Sequence, residues 1–517
     1  MRILHTTVAA ALLLTGHAAE RRAPDPTAAG TGADPAVVRT DAGAVRGTVT
    51  GEHRLFRGIP YATAGRWEAP VPAKSWDGVK DATEPGAMCP QVGSVYAPIS
   101  STDEDCLFLN VTTPRAPGRN RPVMVWIHGD GAVGAGHFSD ARKLASRGVV
   151  VVTINYRLGV FSGFGYPGLK NSGTYGLQDQ QEALRWVRRN AAAFGGDPSN
   201  VTAFGVSFGA LAIGGHLTSP GAKGLFRRVA MQSGETMMDM PANSMIPGVP
   251  AAPAFAWRST EDAQAVGRTY AEQLGCRSLA CLRALPVRKI LAVPQIMNVF
   301  QAYAYGNKVL PELPSKAVRE GRFHRVSVLA GATRDEHRIF VGMNYDVAGR
   351  PVTAQQYGTL VKEAFGDDAG RVTRKYPLAS YASPSQAWAA VMTDRLWARG
   401  THEQNTSLAE HTPVYGYEFA DRRAPMFLPL EADFDWGAFH AADLPYLFPD
   451  KKAPLTAAQR KLADQMVGYW TNFARTGSPN GPDLPRWQPL PRGTQSLAPG
   501  AVRPIDYAAE HRLDFWR

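Results

Sequence analysis

At 517 residues the chain exceeds the roughly 100 to 200 residues of an ordinary domain, a length that α/β enzymes built on one elaborated domain do reach. A hydrophobic content of 44% with 20% charged residues is that of a globular protein and excludes a disordered or fibrous chain. The net charge of +11 raises nucleic acid as a partner. The Arg and Lys residues, however, are scattered along the chain in singlets and doublets, which describes a solvated surface and argues against nucleic acid.

The first residues, MRILHTTVAAALLLTGHAAERR, carry Arg2, an apolar stretch from Val8 to Leu14 and small residues at Ala18 and Ala19. This is the pattern of a secretory signal over residues 1–19. The apolar stretch is shorter than the about 20 residues that span a bilayer, and no later segment is long and apolar enough. The expectation is a secreted protein, extracellular or periplasmic, with no integral membrane segment. Residues 20–35 read as a flexible leader, and 36–517 as a single domain with an insertion at about 238–324.

From Val37 to Val49 the chain alternates and turns like a β-hairpin. Leu55 to Ala62 and the stretch to Trp76 read as short strands and loops, and Glu104 to Val111 as a strand carrying Cys106. A βαβ pattern then begins at Pro122. Val123 to Ile127 is an apolar strand ending in His128-Gly129-Asp130-Gly131; FSDARKLASRG is a candidate short helix; Val149 to Arg157 is the next buried strand. GLQDQQEALRWVRRNAAAFGG has helical spacing, with Leu177, Ala183, Leu184 and Val187 apolar, and stops at glycine. Further strands fall at Val201 to Gly205, Arg227 to Gly234, Arg325 to Glu336 and Val414 to Ala420, and a helix from about Ala457 to Arg475 closes the body. Strands alternating with helices specify an α/β fold, a mostly parallel central sheet with helices on both faces.

The four cysteines, Cys89, Cys106, Cys276 and Cys281, are an even number in an exported chain, and three pairings are possible. Cys276 and Cys281 are near enough for a small loop, which would leave Cys89 with Cys106. None has C-x-x-C spacing, so neither zinc nor a dithiol redox site is suggested, and no metal or cofactor is expected. Gly129 to Gly134 matches G-x-G-x-x-G after a strand, but the following strand ends Thr153-Ile154-Asn155-Tyr156-Arg157. A dinucleotide site wants a carboxylate there for the ribose, so nucleotide binding is rejected.

The stretch that organises the rest is Gly205-Val206-Ser207-Phe208-Gly209, a G-x-S-x-G between a strand and an Ala/Leu/Ile-rich helix. A serine at such a turn stands clear of the sheet with a helix N-terminus aimed at it. Serine is a poor nucleophile unless a base takes its proton, an acid orients that base, and N–H donors receive the oxyanion. The glycine loop 128–131 stands where such donors belong. Asp335 and Glu336 follow a strand and are candidates for the acid. Of the twelve histidines, His440 satisfies the order serine, acid, histidine; His324, His402 and His411 remain alternatives.

With FRGIPYA, EDCLFLNV, WIHGDG, VVVVTINYRLGVF, the segment from Gly176 through Gly205, RRVAMQSG, ATRDE, HAADLPYLF and YWTNFARTGSPNGP in that order, the chain resembles the type-B carboxylesterases, the family of cholinesterases and bacterial p-nitrobenzyl esterases. The likeness runs from about Val37 to Trp487. It implies the α/β-hydrolase fold, with N-terminal antiparallel strands and helical insertions over an active-site gorge, and hydrolysis of small-molecule esters through an acyl-enzyme. It implies Ser207 as nucleophile, Glu336 as acid and His440 as base, with backbone N–H groups of Asp130, Gly131 and Phe208 lining the oxyanion hole. It also implies Ser233 as a supporting group near the acid, and disulfides Cys89–Cys106 and Cys276–Cys281.

The chain departs from that family where it matters. Val206 and Phe208 flank the serine in place of the usual glutamate and alanine, Asp130 replaces the middle glycine of H-G-G-G, and His337 follows the acid in place of glycine. A backbone N–H survives these changes, and Asp tolerates a positive φ; its carboxylate is expected to point away from the oxyanion. Phe208 is expected to crowd the acyl side and favour small acyl groups. A rival reading from another class is a weak or silent binding protein on the same scaffold.

Overall fold

In the computed structural model, which describes residues 34 to 516, the apolar runs of the sequence become the middle of one sheet. The expected signal and leader lie outside the described residues apart from Asp34 and Pro35, and the described residues from Pro35 onward pack as one unit. Among the described residues the sheet has eleven strands: β1 (Thr48–Val49), β2 (His53–Pro60), β3 (Phe108–Pro114), β4 (Arg121–Ile127), β5 (Val150–Ile154), β6 (Gly196–Val206), β7 (Arg228–Gln232), β8 (Ser327–Thr333), β9 (Val414–Phe419), β10 (Thr494–Leu497) and β11 (Arg503–Ile505). Their spatial order is β11-β10-β9-β8-β7-β6-β4-β5-β3-β2-β1. Strands β4 to β10 run parallel, and the antiparallel pairings lie at the two edges.

Side-chain alternation sorts the central strands into two cores. Val123, Val125 and Ile127 of β4, with Val150, Val152, Val201, Ala203 and Val229, face helices α1 (Tyr175–Asn190) and α2 (Phe208–Thr218) through Ala183, Leu184, Val187, Ala210 and Ile213. Met124 and Trp126, with Val151, Phe204, Ala230 and Leu329, face the opposite way onto helix α3 (Ala457–Thr476) through Leu462, Met466, Val467, Trp470 and Phe473. Strands buried on both faces have no polar side, which is why they read as unbroken apolar runs. Helix α3 starts in a capping box, Thr456 with Gln459, and ends at Gly477 in the left-handed region, φ 85°.

The N-terminal hairpin forms as expected, Val37–Arg39 against Ala44–Arg46. Between β7 and β8 the expected insertion holds a two-stranded parallel ladder, Trp257–Ser259 with Tyr303–Tyr305, beside the helix Thr260–Gln273. Both disulfides are made as the resemblance implies, Cys89–Cys106 and Cys276–Cys281.

Three expectations are corrected. The helix within FSDARKLASRG shrinks to Arg142–Ala145. The strand from Val149 stops at Ile154, because Asn155 turns its amide to Gly136 and Ala87 while Arg157 pairs with buried Asp179. Helix α3 does not close the body: β10 and β11 follow it and extend the sheet beyond β9. A helical block from Arg338 to Ala409, unanticipated in the sequence, follows β8; most of it buries its own core around Trp388 and Tyr376, and its last helix, Arg399–Ala409, packs on β8 and β9.

Candidate active site

Strand β6 ends at Val206 and α2 begins at Phe208, so Ser207 is the whole turn, at φ 55° and ψ −123°. That backbone is strained for a residue with a Cβ and holds because its surroundings leave no alternative. The Ser207 N–H donates to Gln232 O at 2.8 Å on neighbouring β7. The flanking glycines are required by close approach to β4: a Cβ on Gly205 would meet Ile127 O at 2.6 Å, and one on Gly209 would meet it at 2.1 Å. Facing the turn is the glycine loop, where the Cβ position of Gly129 is 3.1 Å from Ser207 Cβ.

Within that loop Asp130 takes φ 69°, a region Asp enters more readily than most residues. Its Oδ1 accepts from the N–H groups of Ala132 at 2.9 Å and Val133 at 3.2 Å, so the carboxylate folds back onto its own turn. Gln301 Nε2 donates to Asp130 O at 3.0 Å. Burial pushes the Asp130 carboxyl up to about 6, against the lowering by those N–H groups and by Gln301. The Gly131 N–H reaches back to Gly129 O at 3.0 Å, so this expected oxyanion donor is already engaged in a bent three-residue turn. The Phe208 ring is 2% exposed and packs with Leu211, Trp257 and Tyr303, over the place a Gly131 side chain would take.

Glu336 and His440 meet. His440 Nδ1 is 2.5 Å from Glu336 Oε2, and the second oxygen, Oε1, accepts the Thr333 N–H at 2.7 Å. Glu336 is fully buried and His440 is 6% exposed. A carboxylate accepts only, so Nδ1 carries the hydrogen and Nε2 keeps its lone pair. The loop holding His440 is tied to the serine turn: Gln232, whose carbonyl receives Ser207 N–H, donates from its side chain to Asp443 Oδ2 at 2.8 Å. Trp397 and Phe340 lie against the His440 ring, with centroids at 4.7 and 5.2 Å.

The competing residues have other partners. Asp335 forms a bidentate pair with Arg422 at 2.9 Å, and its Oδ2 also accepts the Ala438 N–H at 3.0 Å, so both its oxygens are taken. His324 bonds to Ser219 O at 2.7 Å, His411 packs on Phe323, and His402 lies in the helix Arg399–Ala409. Ser233, which the resemblance implies as a supporting group near the acid, makes no side-chain hydrogen bond to Glu336. Both Glu336 oxygens have the partners named above, and the buried Ser233 hydroxyl has none among the described residues; its N–H joins Gly331 O at 2.8 Å. Sequence reasoning missed Trp397 and Gln301, which carry no motif and arrive from segments remote in the chain, and also Phe340, four residues beyond Glu336, and Gln232, inside the quoted segment RRVAMQSG but given no role there.

A profile of the Carboxylesterase family matches residues 34–516. The chain belongs to the carboxylesterase family. It is 34% identical over 471 residues to the para-nitrobenzyl esterase of Bacillus subtilis (strain 168), covering 86% of this chain and 90% of that one. It is 31% identical over 512 residues to the pyrethroid hydrolase Ces2a of Mus musculus, covering 91% and 88%. A solved PNB esterase structure superposes with TM-score 0.75 at 31% identity, covering 93% of this chain and all of that one. This carboxylesterase is therefore a carboxylic ester hydrolase with the α/β-hydrolase fold, and no helix among its described residues is long and apolar enough to cross a membrane.

Proposed function

We propose that this carboxylesterase cleaves esters through an acyl-enzyme on Ser207, with His440 as general base and Glu336 as the acid that orients it. The pair His440 Nδ1 to Glu336 Oε2 at 2.5 Å carries the reading, because it leaves Nε2 as the free base. His440 takes the Ser207 proton as the oxygen attacks the ester carbonyl, then returns it to the leaving alcohol; water repeats the cycle and releases the acid. The oxyanion rests on the N–H groups of Asp130 and Phe208, the Gly131 N–H being engaged with Gly129 O. Ser207→Ala abolishes hydrolysis of p-nitrophenyl acetate while the protein stays folded; full activity in that variant refutes the assignment.

Esters with small acyl groups are the substrates this reading favours, since the Phe208 ring lies over the glycine loop. An acyl-length series with p-nitrophenyl esters tests that. Residues 1–19 are proposed to direct export, with mature protein starting near Glu20; the N-terminus of protein recovered outside the cytoplasm decides it. The engaged Gly131 N–H supports a second reading, binding without turnover. Stoichiometric fluorophosphonate labelling, lost in Ser207→Ala, separates the two, and absence of label favours the second.

A further inference from the structure

Beside the acid this chain places a histidine whose ring is fully buried and bonded at both nitrogens. His337 Nε2 is 2.6 Å from Ser244 O, so it donates, and His337 Nδ1 accepts the Trp397 indole N–H at 3.0 Å. Its backbone N–H also donates to Thr393 Oγ1 at 3.0 Å. Thr393 and Trp397 lie four residues apart on one π-helical turn, Thr393–Ala398, so His337 grips that turn twice. Wide turns of this kind are rare and concentrate at functional sites. Trp397 in turn presses on His440 at 4.7 Å, and Phe340 stacks on Trp397 at 5.7 Å and 11° while touching both histidines at 5.2 Å.

The geometry points to His337 as a positioning residue for catalysis: by accepting the indole N–H it fixes Trp397 against the His440 ring, where the aromatic rings favour the imidazolium that forms as Ser207 attacks. The inference rests on the Ser207–Glu336–His440 reading. A glycine at 337 would keep the backbone bond to Thr393 and lose both ring bonds, leaving the indole free to tilt. Burial lowers His337 to about 3, against the hydrogen bond to Ser244 O, so it stays a neutral acceptor at working pH. Aromatic rings within about 6 Å of a cation stabilise it; Trp397 and Phe340 meet that distance, tilted 44° and 49° to the imidazole. The ionisable groups facing His440 are Glu336, Asp443 and this neutral His337.

The test compares His337→Phe, which fills the space without accepting a hydrogen bond, with Trp397→Phe, which keeps a ring and loses the donor. Each is expected to lower kcat on p-nitrophenyl acetate about tenfold, the size of one net hydrogen bond, with KM within about twofold. The acidic limb of the kcat/KM profile moves to lower pH by about half a unit, as expected when a cation–π contact weakens. The double variant falls no further than either single one, and His337→Asn, whose oxygen stands near the Nδ1 position, recovers most of kcat. Fluorophosphonate labelling and a thermal melt establish that each variant is folded; if His337→Phe does not fold, Trp397→Phe carries the same comparison. An unchanged kcat and pH profile, or strictly additive losses in the double variant, overturns the inference. Ser207→Ala is assayed alongside: hydrolysis surviving there removes the underlying triad reading, whereas a dead Ser207→Ala with a normal His337→Phe removes this inference alone.

Discussion

Asp130 shows how one substitution is absorbed without losing a loop. A glycine at φ 69° would adopt that backbone freely, whereas Asp holds it by capping the N–H groups of Ala132 and Val133. Its cost is electrostatic, since above its raised value of about 6 a carboxylate stands in the loop that faces Ser207. Asp130→Asn keeps an acceptor oxygen and removes the charge. The variant is therefore expected to raise kcat severalfold at pH 8 and to match the parent at pH 5, where the parent carboxyl is protonated. Asp130→Gly loses both caps and is expected to fall below the Asn variant. Profiles of kcat from pH 5 to 8 on p-nitrophenyl acetate check both; a parent faster than Asp130→Asn at pH 8 would give the charge a positive role.

At the scale of elements, the strand–turn–helix around Ser207 was legible because its signal is local: an apolar run, two glycines, a serine and a helix-forming run. The helical block Arg338–Ala409 was not, because it is broken into short helices and π-turns whose apolar residues, such as Tyr357, Leu360 and Val361, bury against the block's own core rather than against the sheet. The anchoring of α1 is another non-local matter. Asp179, fully buried on that helix, receives Arg157 Nε at 2.8 Å, Nη2 at 2.7 Å and the Arg157 N–H at 3.1 Å. Breaking one partner strands a buried charge, so Asp179→Asn is expected to lose about 3–5 kcal/mol in urea unfolding. Arg157→Met with Asp179→Leu together is expected to regain most of it, because apolar replacements leave no charge unpaired.

Across the whole molecule the C-terminal segment is clasped to the sheet by one buried histidine. His511 Nδ1 is 2.7 Å from Asp394, and Nε2 is 2.7 Å from Glu418 of β9; Arg512 and Arg334 attend the same two carboxylates. Burial alone would lower His511, but the hydrogen bonds and charges of Asp394 and Glu418 raise it to about 9 from 6.5. A raised value means the folded state binds the proton more tightly than the unfolded one. The stabilisation is thus complete below pH 6.5 and disappears as pH rises through 9; the gap corresponds to about 3 kcal/mol. His511→Gln is expected to be less stable than the parent at pH 6.5, with the difference shrinking by pH 9.5, as read by urea midpoints. A constant difference across that range would assign His511 a packing role only.

The sequence by itself determined the α/β class and the strand–serine–helix turn, because each is written in neighbouring residues; the order serine, acid, histidine it supplied as an expectation. It left Asp335 and Glu336 as equal candidates from the residues alone, and four histidines in competition. Only the tertiary structure decided between them, by giving Asp335 to Arg422 and Glu336 to His440. Whether a carboxylate meets an arginine or an imidazole depends on which loops the twisted sheet brings to its carboxyl edge. That is a property of contacts 87 and 104 residues apart, for which no local pattern exists.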